Sequence, residues 1–364
     1  DHSSHSGGVI MGQNIVHGID EIRSVIEGKK FLLVRDAAYG FLGIKEFFAD
    51  FPHVEFSKFT PNPLYEQVCE GVDLYNREGC ELIVAVGGGS TIDVAKCIKL
   101  YSKMDSSVNY LQQEMADTGI TLIAVPTTAG TGSESTRHAV IYYEGVKQSI
   151  SHPSIVPDYA VLESSVLKTL PVYQKKCTMM DALSQAIESW WSVKSNEESI
   201  GYSKKAIGLI RDNWEDYIFR NADAASEAIM EAANLAGRAI NITATTTAHA
   251  MSYKVTSMYN FPHGHAVAVC LPEVWEYMLG HIEDCVDSRG ADYLRNTLSE
   301  IVILISVERY KEMFEKMELK FPVAIDREAE LEALAKSVNP VRLKNNPVGL
   351  SEVMLKDMYG RIIH

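Results

Sequence analysis

The segment ELIVAVGGGSTIDVAK, residues 81–96, joins a strand pattern, a glycine turn and a helix pattern in one run. Its first half is apolar and β-branched, as in a buried parallel strand. The turn consists of Gly87, Gly88, Gly89 and Ser90. Glycines let a phosphate approach the backbone, and the helix that follows, with Asp93 in its first turn, offers free amides and a positive dipole end. We therefore expect a pyrophosphate site, although a plain tight turn is the alternative and the run is not a GxGxxG fingerprint.

A second loop of this kind is VPTTAGTGSE, residues 125–134, which also follows an apolar strand. It has four hydroxyl side chains suited to phosphate or ribose oxygens: Thr127, Thr128, Thr131 and Ser133. Loops of Ser, Thr and Gly are often only turns. Two such loops after strands of one sheet nevertheless favour a common nucleotide-binding edge.

Asp36 ends the strand pattern KFLLVRD. An acidic side chain at such a strand end accepts hydrogen bonds from both ribose hydroxyls and repels a 2′-phosphate. The position predicts NAD as the cofactor, with NADP as the alternative. An ordinary strand-end carboxylate is the simpler explanation of the same residue.

The chain changes character near residues 169–171. Before this point, helical patterns alternate with short apolar runs at residues 30–36, 53–59, 81–88 and 119–126. That alternation predicts a parallel sheet with crossover helices, and the later segments, with apolar residues three and four apart, predict helices. We expect an α/β domain at residues 9–169 and an all-helical domain at residues 170–364. The polar start DHSSHSGG is excluded from both as a tag remnant or a disordered lead-in.

Composition excludes several classes of function. The chain has 34 basic and 48 acidic residues, a formal charge of −14, and no basic stripe, so neither nucleic acid nor an anionic membrane is an expected partner. No apolar run approaches the roughly 20 residues of a membrane span. The six cysteines have no CxxC spacing and are typical of reduced thiols. We expect a cytoplasmic protein.

Two segments of the second half contain ligand-type side chains. In DALSQAIES, Asp181 and Gln185 stand four apart, so a helix places both on one face. In HAMSYKVTSMYNFPHG, His249 starts a helix-like stretch and His263 lies in a Pro-bounded loop. Each residue alone has an ordinary alternative, such as a hydrogen-bonded core histidine or an ion-paired helix carboxylate. Together with the nucleotide loops they favour a divalent metal site with an open position, able to act as a Lewis acid on a carbonyl or alcohol oxygen.

With these motifs the chain resembles the iron-containing (group III) alcohol dehydrogenases, relatives of dehydroquinate synthase. The matching residues are GGGSTIDVAK, PTTAGTGSE, MDALSQAIES and the HA to PHGHA segment, and the resemblance extends from about Ile15 to the NNP run at Asn345–Pro347. It implies a dehydroquinate synthase-like fold: an α/β N-terminal dinucleotide-binding domain with a parallel sheet, an all-α C-terminal metal-binding domain, and metal and nicotinamide in the cleft between them. It also implies hydride transfer between NAD(P)H and an aldehyde or alcohol with Fe²⁺ or Zn²⁺. Lys147 matches a family lysine near the cofactor ribose, although it could equally be solvated.

The chain departs from the family pattern at two positions. The family uses one Asp and three His as ligands, whereas the position four after Asp181 is Gln185. An amide oxygen is a harder and weaker donor than imidazole, so metal affinity or metal choice changes. His265 is the alternative fourth ligand. Tyr253 stands where many members have a further His that relays protons, so the candidate proton donors are His265, Tyr253 and His138, in that order.

The segment STRHAVIYYEGVK and the Gln185 variant most resemble the phosphonoacetaldehyde reductase branch of the family. There the reaction is phosphonoacetaldehyde plus NAD(P)H giving 2-hydroxyethylphosphonate. The substrate-pocket candidates are Arg137, His138 and Ile240. Arg137 can bind phosphonate in a bidentate fork, although an internal ion pair explains it equally well.

Three alternatives stay open. A lyase or cyclase of the dehydroquinate synthase type uses NAD and metal without net oxidation of NADH, and a noncatalytic relative would keep the fold while Gln185 spoils the metal site. Another small-alcohol dehydrogenase of the same family is the nearest alternative. Assemblies of two or more subunits occur among the relatives, so we expect a homo-oligomer that acts on a small aldehyde or alcohol, anionic in the phosphonate case.

Overall fold

The computed structural model describes residues 12–364. The polar lead-in and the expected domain start at residue 9 lie outside these residues. The chain divides into two compact units. The N-terminal unit extends to Leu170 and also includes Asn221–Met230, and the helical unit comprises Pro171–Arg220 and Glu231–His364. The periodicity of the sequence does not indicate the assignment of Asn221–Met230 to the first unit.

A parallel sheet of six strands forms the centre of the N-terminal unit. The strands of this unit are β1 (Asn14–Val16), β2 (Phe31–Arg35), β3 (His53–Phe56), β4 (Leu82–Gly87), β5 (Thr121–Pro126), β6 (His138–Tyr143), β7 (Val146–Ser151) and β8 (Tyr159–Val161). The order in the six-stranded sheet is β1-β8-β5-β4-β2-β3. The α-helices before residue 170 are α1 (Arg23–Ile26), α2 (Lys45–Ala49), α3 (Tyr65–Arg77) and α4 (Gly89–Tyr101). The expected parallel sheet is confirmed. The sequence interpretation missed β1 and β8, because a strand of three residues is too short for a pattern.

A β-hairpin follows the second glycine-containing loop. Strands β6 and β7 pair antiparallel, with Tyr143 opposite Val146. Glu144 and Gly145 join them with φ angles of 51° and 77°. Positive φ at both central residues is typical of a two-residue type I′ turn.

Every element from Pro171 to His364 that the structure assigns is helical, as expected. The helices are α5 (Val172–Trp191), α6 (Glu197–Phe219), α7 (Asp223–Thr243), α8 (Thr247–Tyr259), α9 (His263–Gly280), α10 (Ala291–Leu304), α11 (Val307–Lys316), α12 (Arg327–Ser337), α13 (Pro340–Leu343) and α14 (Glu352–Ile362). Large aromatic side chains fill the core, where Trp275 packs edge to face on both Trp191 and Tyr310. Among the described residues, no helix has the length and hydropathy of a membrane span.

Candidate metal centre and nucleotide-binding loops

Three side chains of the helical unit bring ligand atoms together: Asp181 on α5, His249 on α8 and His263 on α9. Oδ1 of Asp181 lies 3.0 Å from Nε2 of His249 and 3.4 Å from Nε2 of His263. One ligand atom from each residue lies within 4.8 Å of the others. The side chains of Asp181 and His249 are buried, whereas His263 is 37% exposed, so the cluster is accessible from one side. A carboxylate and two imidazoles in this arrangement fit a divalent ion that keeps an open position. We call these three residues the metal cluster.

Gln185, the predicted fourth ligand, lies one turn after Asp181 on the same helix and is buried. The spacing in the sequence therefore placed both side chains on the expected face of α5. Its coordination of an ion stays a prediction.

Glu188, which the sequence interpretation missed, holds His249 from the side away from Asp181. Its Oε1 accepts a hydrogen bond from Nδ1 of His249. Its Oε2 accepts from the Thr246 hydroxyl at 2.5 Å and from the Ala248 amide at 2.9 Å. A carboxylate on the second nitrogen fixes the ring and makes it a better metal ligand. The position of Glu188, seven residues after Asp181 on one helical stripe, was the available signal.

The carboxylates on either side of His249 favour positive charge at the cluster. Burial alone lowers the pKa of His249, but Glu188 and Asp181 raise it to about 9. Burial by itself raises the pKa of Asp181, but His263 and His249 hold it well below its usual range. The same negative potential attracts a divalent cation, which binds the neutral form of imidazole.

A glycine brings α9 close enough to α5 to form the cluster. A Cβ added at Gly264 would lie 1.8 Å from the Cys177 carbonyl oxygen and 3.1 Å from Cβ of Asp181. Only a residue without a side chain allows this approach. Because His263 immediately precedes Gly264, the contact also sets its distance from Asp181.

His265 is not part of the metal cluster. Its Nε2 bonds the Lys320 carbonyl at 2.7 Å, and its Nδ1 contacts the Tyr173 hydroxyl at 2.6 Å. A carbonyl only accepts, so Nε2 bears the hydrogen and Nδ1 accepts from Tyr173. Burial lowers the pKa of His265. Both ring nitrogens are hydrogen-bonded to other residues, which does not support a role as fourth ligand or proton donor.

Replacing Glu188 with glutamine will weaken metal binding about 10- to 100-fold. The new amide can accept from His249 through its oxygen, but its NH₂ group then faces the Ala248 amide, which is also a donor. Glu198→Gln is the matched control, because Glu198 also accepts a hydrogen bond, from Tyr202 at 2.7 Å, on helix α6. Titration of chelator-treated protein with Zn²⁺ measures the affinities. Equal affinity of the Glu188 variant and the control would remove the assigned role of Glu188.

The two glycine-containing loops lie side by side in the N-terminal unit. Gly87 at the end of β4 is in register with Pro126 at the end of β5. A Cβ added at Gly89 would lie 2.9 Å from the Thr131 side chain, and one at Gly88 would lie 3.8 Å from Thr128. The absence of side chains in the turn allows this approach, and the amides at the start of α4 fit a phosphate.

Asp93 and Lys96 on α4 form hydrogen bonds to the second glycine-containing loop and to the residues that follow it. The Asp93 carboxylate accepts from the Ser133 hydroxyl at 2.7 Å and from the Val140 amide at 3.0 Å. Lys96 is fully buried and donates to Ser133, Thr136 and the His138 carbonyl at 2.8, 3.1 and 2.8 Å. Burial lowers the pKa of Lys96 to about 8 and raises that of Asp93. The sequence predicted Asp93 and Ser133 as cofactor-binding residues. In the structure their side chains hydrogen-bond each other and help to shape the loop.

The other cofactor candidates lie at the same edge of the sheet or on the hairpin. Asp36 follows β2 and accepts from the Ala38 amide at 3.1 Å and the Thr91 hydroxyl at 3.4 Å. Ser90 donates to the Pro61 carbonyl. Thr127 donates its amide to the Gly87 carbonyl at 3.0 Å. Lys147 is half-buried on β7.

The substrate candidates are divided between the units. Arg137 and His138 lie at the start of β6 in the N-terminal unit, and Ile240 is buried on α7 in the helical unit. Their roles toward a substrate stay predictions.

Replacing Gly89 with valine will weaken NADH binding about tenfold or more, because the new side chain pushes against Thr131 at the phosphate turn. Gly43→Ala is the control, since its Cβ meets nothing within 4 Å. Quenching of NADH fluorescence measures the affinity for NADH. Titration with Zn²⁺ should give the same metal affinity for the wild type and both variants. Unchanged NADH affinity in the Gly89 variant would contradict the assignment of the turn.

Two family models match the chain. The one described as iron-containing alcohol dehydrogenase matches residues 7–164, and the one described as Fe-containing alcohol dehydrogenase family, C-terminal, matches residues 176–349.

Individual proteins match over much of the chain. An NAD-dependent methanol dehydrogenase from Bacillus methanolicus is 29% identical over 357 residues, 93% of each chain. A phosphonoacetaldehyde reductase from Streptomyces viridochromogenes is 33% identical over 236 residues, 61% of this chain and 59% of that protein. Among solved structures, an iron-containing alcohol dehydrogenase from Thermococcus thioreducens is 24% identical, with a TM-score of 0.86 over 96% of this chain and 98% of that chain. A sulfoacetaldehyde reductase from Bifidobacterium kashiwanohense, in complex with NAD⁺, is 24% identical, with a TM-score of 0.84 over 96% of this chain and 97% of that chain.

Proposed function

The chain belongs to the iron-containing alcohol dehydrogenase family, and on this premise we propose that it reduces a small aldehyde to a primary alcohol with a reduced nicotinamide cofactor and a divalent metal ion. The balanced reaction is aldehyde plus NADH plus H⁺ giving alcohol plus NAD⁺. The observation that best supports it is the metal cluster, since Asp181, His249 and His263 place three ligand atoms within 4.8 Å of one another.

Phosphonoacetaldehyde is the proposed substrate, and 2-hydroxyethylphosphonate the product. The phosphonoacetaldehyde reductase is 33% identical over the aligned part. The sulfoacetaldehyde reductase, whose substrate name denotes an aldehyde with an acidic group, shares the fold at a TM-score of 0.84. Arg137, at the start of the hairpin, is a candidate for the acidic group, because guanidinium binds such groups in a fork.

The helical unit supplies the residues that would hold the metal. A bound divalent ion supplies Lewis-acid polarisation of the carbonyl group. Asp181, His249 and His263 are the ligands, and Gln185 is the proposed fourth. Glu188 keeps Nδ1 of His249 occupied, so that Nε2 faces the cluster. Two imidazoles with oxygen donors suit Fe²⁺ and Zn²⁺ alike.

The N-terminal unit supplies the cofactor site. The amides of the turn at Gly87–Ser90 would bind the pyrophosphate, and Thr128 and Thr131 lie beside that turn. Asp36 at the end of β2 would accept from the ribose hydroxyls, which favours NAD over NADP.

The proton that completes the alcohol needs a donor in contact with solvent. His265 is buried, with both nitrogens hydrogen-bonded. The Tyr253 hydroxyl accepts from Arg342 at 3.1 Å. An accepted bond still leaves the Tyr253 hydroxyl a proton to donate, so Tyr253 and His138, which is half-buried at the start of β6, are the remaining candidates.

The test is NADH oxidation by protein that has been treated with chelator and reloaded with Fe²⁺ or Zn²⁺. The substrates are phosphonoacetaldehyde, lactaldehyde and propanal. The proposal expects metal-dependent loss of NADH absorbance, with phosphonoacetaldehyde as the best substrate. Equal turnover of simple aldehydes would remove the phosphonate assignment. No NADH oxidation with any aldehyde would remove the reductase assignment and favour the lyase alternative, which uses NAD without net oxidation of NADH.

A further inference from the structure

Arg342 places a positive charge one aromatic ring away from the metal cluster. It lies on α13, and its Nη1 donates to the Tyr253 hydroxyl at 3.1 Å. Its guanidinium carbon is 5.0 Å from the centre of the Tyr253 ring, a distance typical of a cation–π contact. The Tyr253 ring in turn stacks on His263, with ring centres 6.2 Å apart and planes 26° apart. The contacts therefore run from guanidinium to phenol to the imidazole of the cluster.

The charge balance at the metal cluster is compatible with an additional cation nearby. Asp181 and Glu188 place two carboxylates at or directly behind the ligand atoms. These two negative charges offset the two positive charges of a divalent ion. The centre can polarise a carbonyl oxygen, but it has no formal excess of positive charge for an additional acidic group. A substrate that has both an aldehyde and an anion needs a second positive group close by.

We propose that Arg342, rather than Arg137, binds the acidic group of the substrate while the aldehyde oxygen is held at the metal cluster, because Arg342 is one aromatic ring away from His263. This inference rests on the proposed aldehyde reductase activity. The substrate class is a short aldehyde that ends in a tetrahedral oxyanion, a phosphonate or a sulfonate, which matches the planar donor fork of arginine. Tyr253 is then a positioning residue: its hydroxyl and ring face hold the guanidinium one aromatic ring away from His263.

The test compares an anionic and a neutral aldehyde on the metal-loaded enzyme. The probes are phosphonoacetaldehyde, sulfoacetaldehyde and propanal, with NADH saturating. In Arg342→Met, kcat/KM for both anionic aldehydes should fall about 100-fold, mainly through KM, because a charge pair is lost. The value for propanal should change less than about threefold. Arg342→Lys keeps the charge without the fork and should lose about tenfold.

Three further measurements separate substrate binding from structure. Lys344→Met is the matched control, because Lys344 is an exposed cation directly after α13, and it should behave as wild type with all three aldehydes. Added guanidinium should restore part of the activity of Arg342→Ala toward the anionic aldehydes alone. Tyr253→Phe removes the acceptor of the Arg342 hydrogen bond and should raise KM for the anionic aldehydes about threefold to tenfold.

The outcomes distinguish the inference from the proposed function. Equal losses with anionic and neutral aldehydes in Arg342→Met would show a structural role and overturn the inference alone. Unchanged kcat/KM for the anionic aldehydes would also overturn it while the reductase activity stands. If wild-type enzyme oxidises no NADH with any of the three aldehydes, the proposed function fails and the inference fails with it.

Discussion

Replacing His249 with alanine will remove the bound metal and lower aldehyde reduction by roughly 1,000-fold or more, because one of three ligand atoms is lost. The imidazole lies between two carboxylates, 3.0 Å from Asp181 on one side and bonded to Glu188 on the other. In the alanine variant the buried carboxylates of Asp181 and Glu188 lose their hydrogen bonds to the imidazole. Metal content after dialysis and the rate of NADH oxidation measure the effect, and NADH binding should stay near the wild-type affinity.

Two further variants keep this prediction testable if the alanine protein folds poorly. Asp181→Asn has the same shape but lacks the charge, and it should also lose metal. His281→Ala is the matched control, because His281 is an exposed histidine directly after the other end of α9. It should keep the full metal content and rate. Full activity of either cluster variant in metal-free protein would contradict the role of the cluster.

Replacing Gly264 with alanine will separate helices α5 and α9 at the metal cluster. The added Cβ would lie 1.8 Å from the Cys177 carbonyl oxygen and 2.6 Å from its carbon, and these backbone atoms cannot rotate away. Overpacking of this kind costs about 1–3 kcal/mol. The shift also moves His263 from Asp181, so metal affinity should fall about 10-fold or more.

Gly280→Ala is the matched control for this prediction. Gly280 is the last residue of the same helix, and a Cβ there meets nothing within 4 Å. Alanine is a better helix former than glycine, so this variant should be as stable as wild type or slightly more stable. Thermal unfolding and Zn²⁺ titration measure both variants. Identical melting temperatures and metal affinities for the two would show that the close approach at Gly264 does not position the cluster.

Local patterns predicted the parts of the fold that have long, regular elements. Alternating apolar runs and helical patterns predicted the parallel sheet and the helical second half, and both are confirmed. The β6–β7 hairpin was missed, because its antiparallel pairing depends on the turn at Glu144 and Gly145, which the sequence interpretation did not recognise. The packing of Asn221–Met230 with the first unit is a tertiary property that periodicity does not report.

Helical spacing predicted the shared face of Asp181 and Gln185, whereas the grouping of Asp181 with His249 and His263 was predicted from their residue types, the nucleotide loops and the family resemblance, and not from spacing. Helical spacing put Asp181 and Gln185 on one face, and the same spacing would have found Glu188. The meeting of His249 with His263 depends on the chain reversal at Asn260, where φ is 55°. The contact of Arg342 with Tyr253 joins residues 89 positions apart. No local pattern indicates a contact at that separation.

The most direct test of the central claim is an anomalous difference map from crystals of the Zn²⁺-loaded protein, recorded at the zinc absorption edge. A single peak should lie about 2.0–2.2 Å from Nε2 of His249, Nε2 of His263 and a carboxylate oxygen of Asp181. A peak at another place in the chain would contradict the claim that Asp181, His249 and His263 hold one ion. Side chains of these three residues that point apart, with no common centre, would contradict it as well.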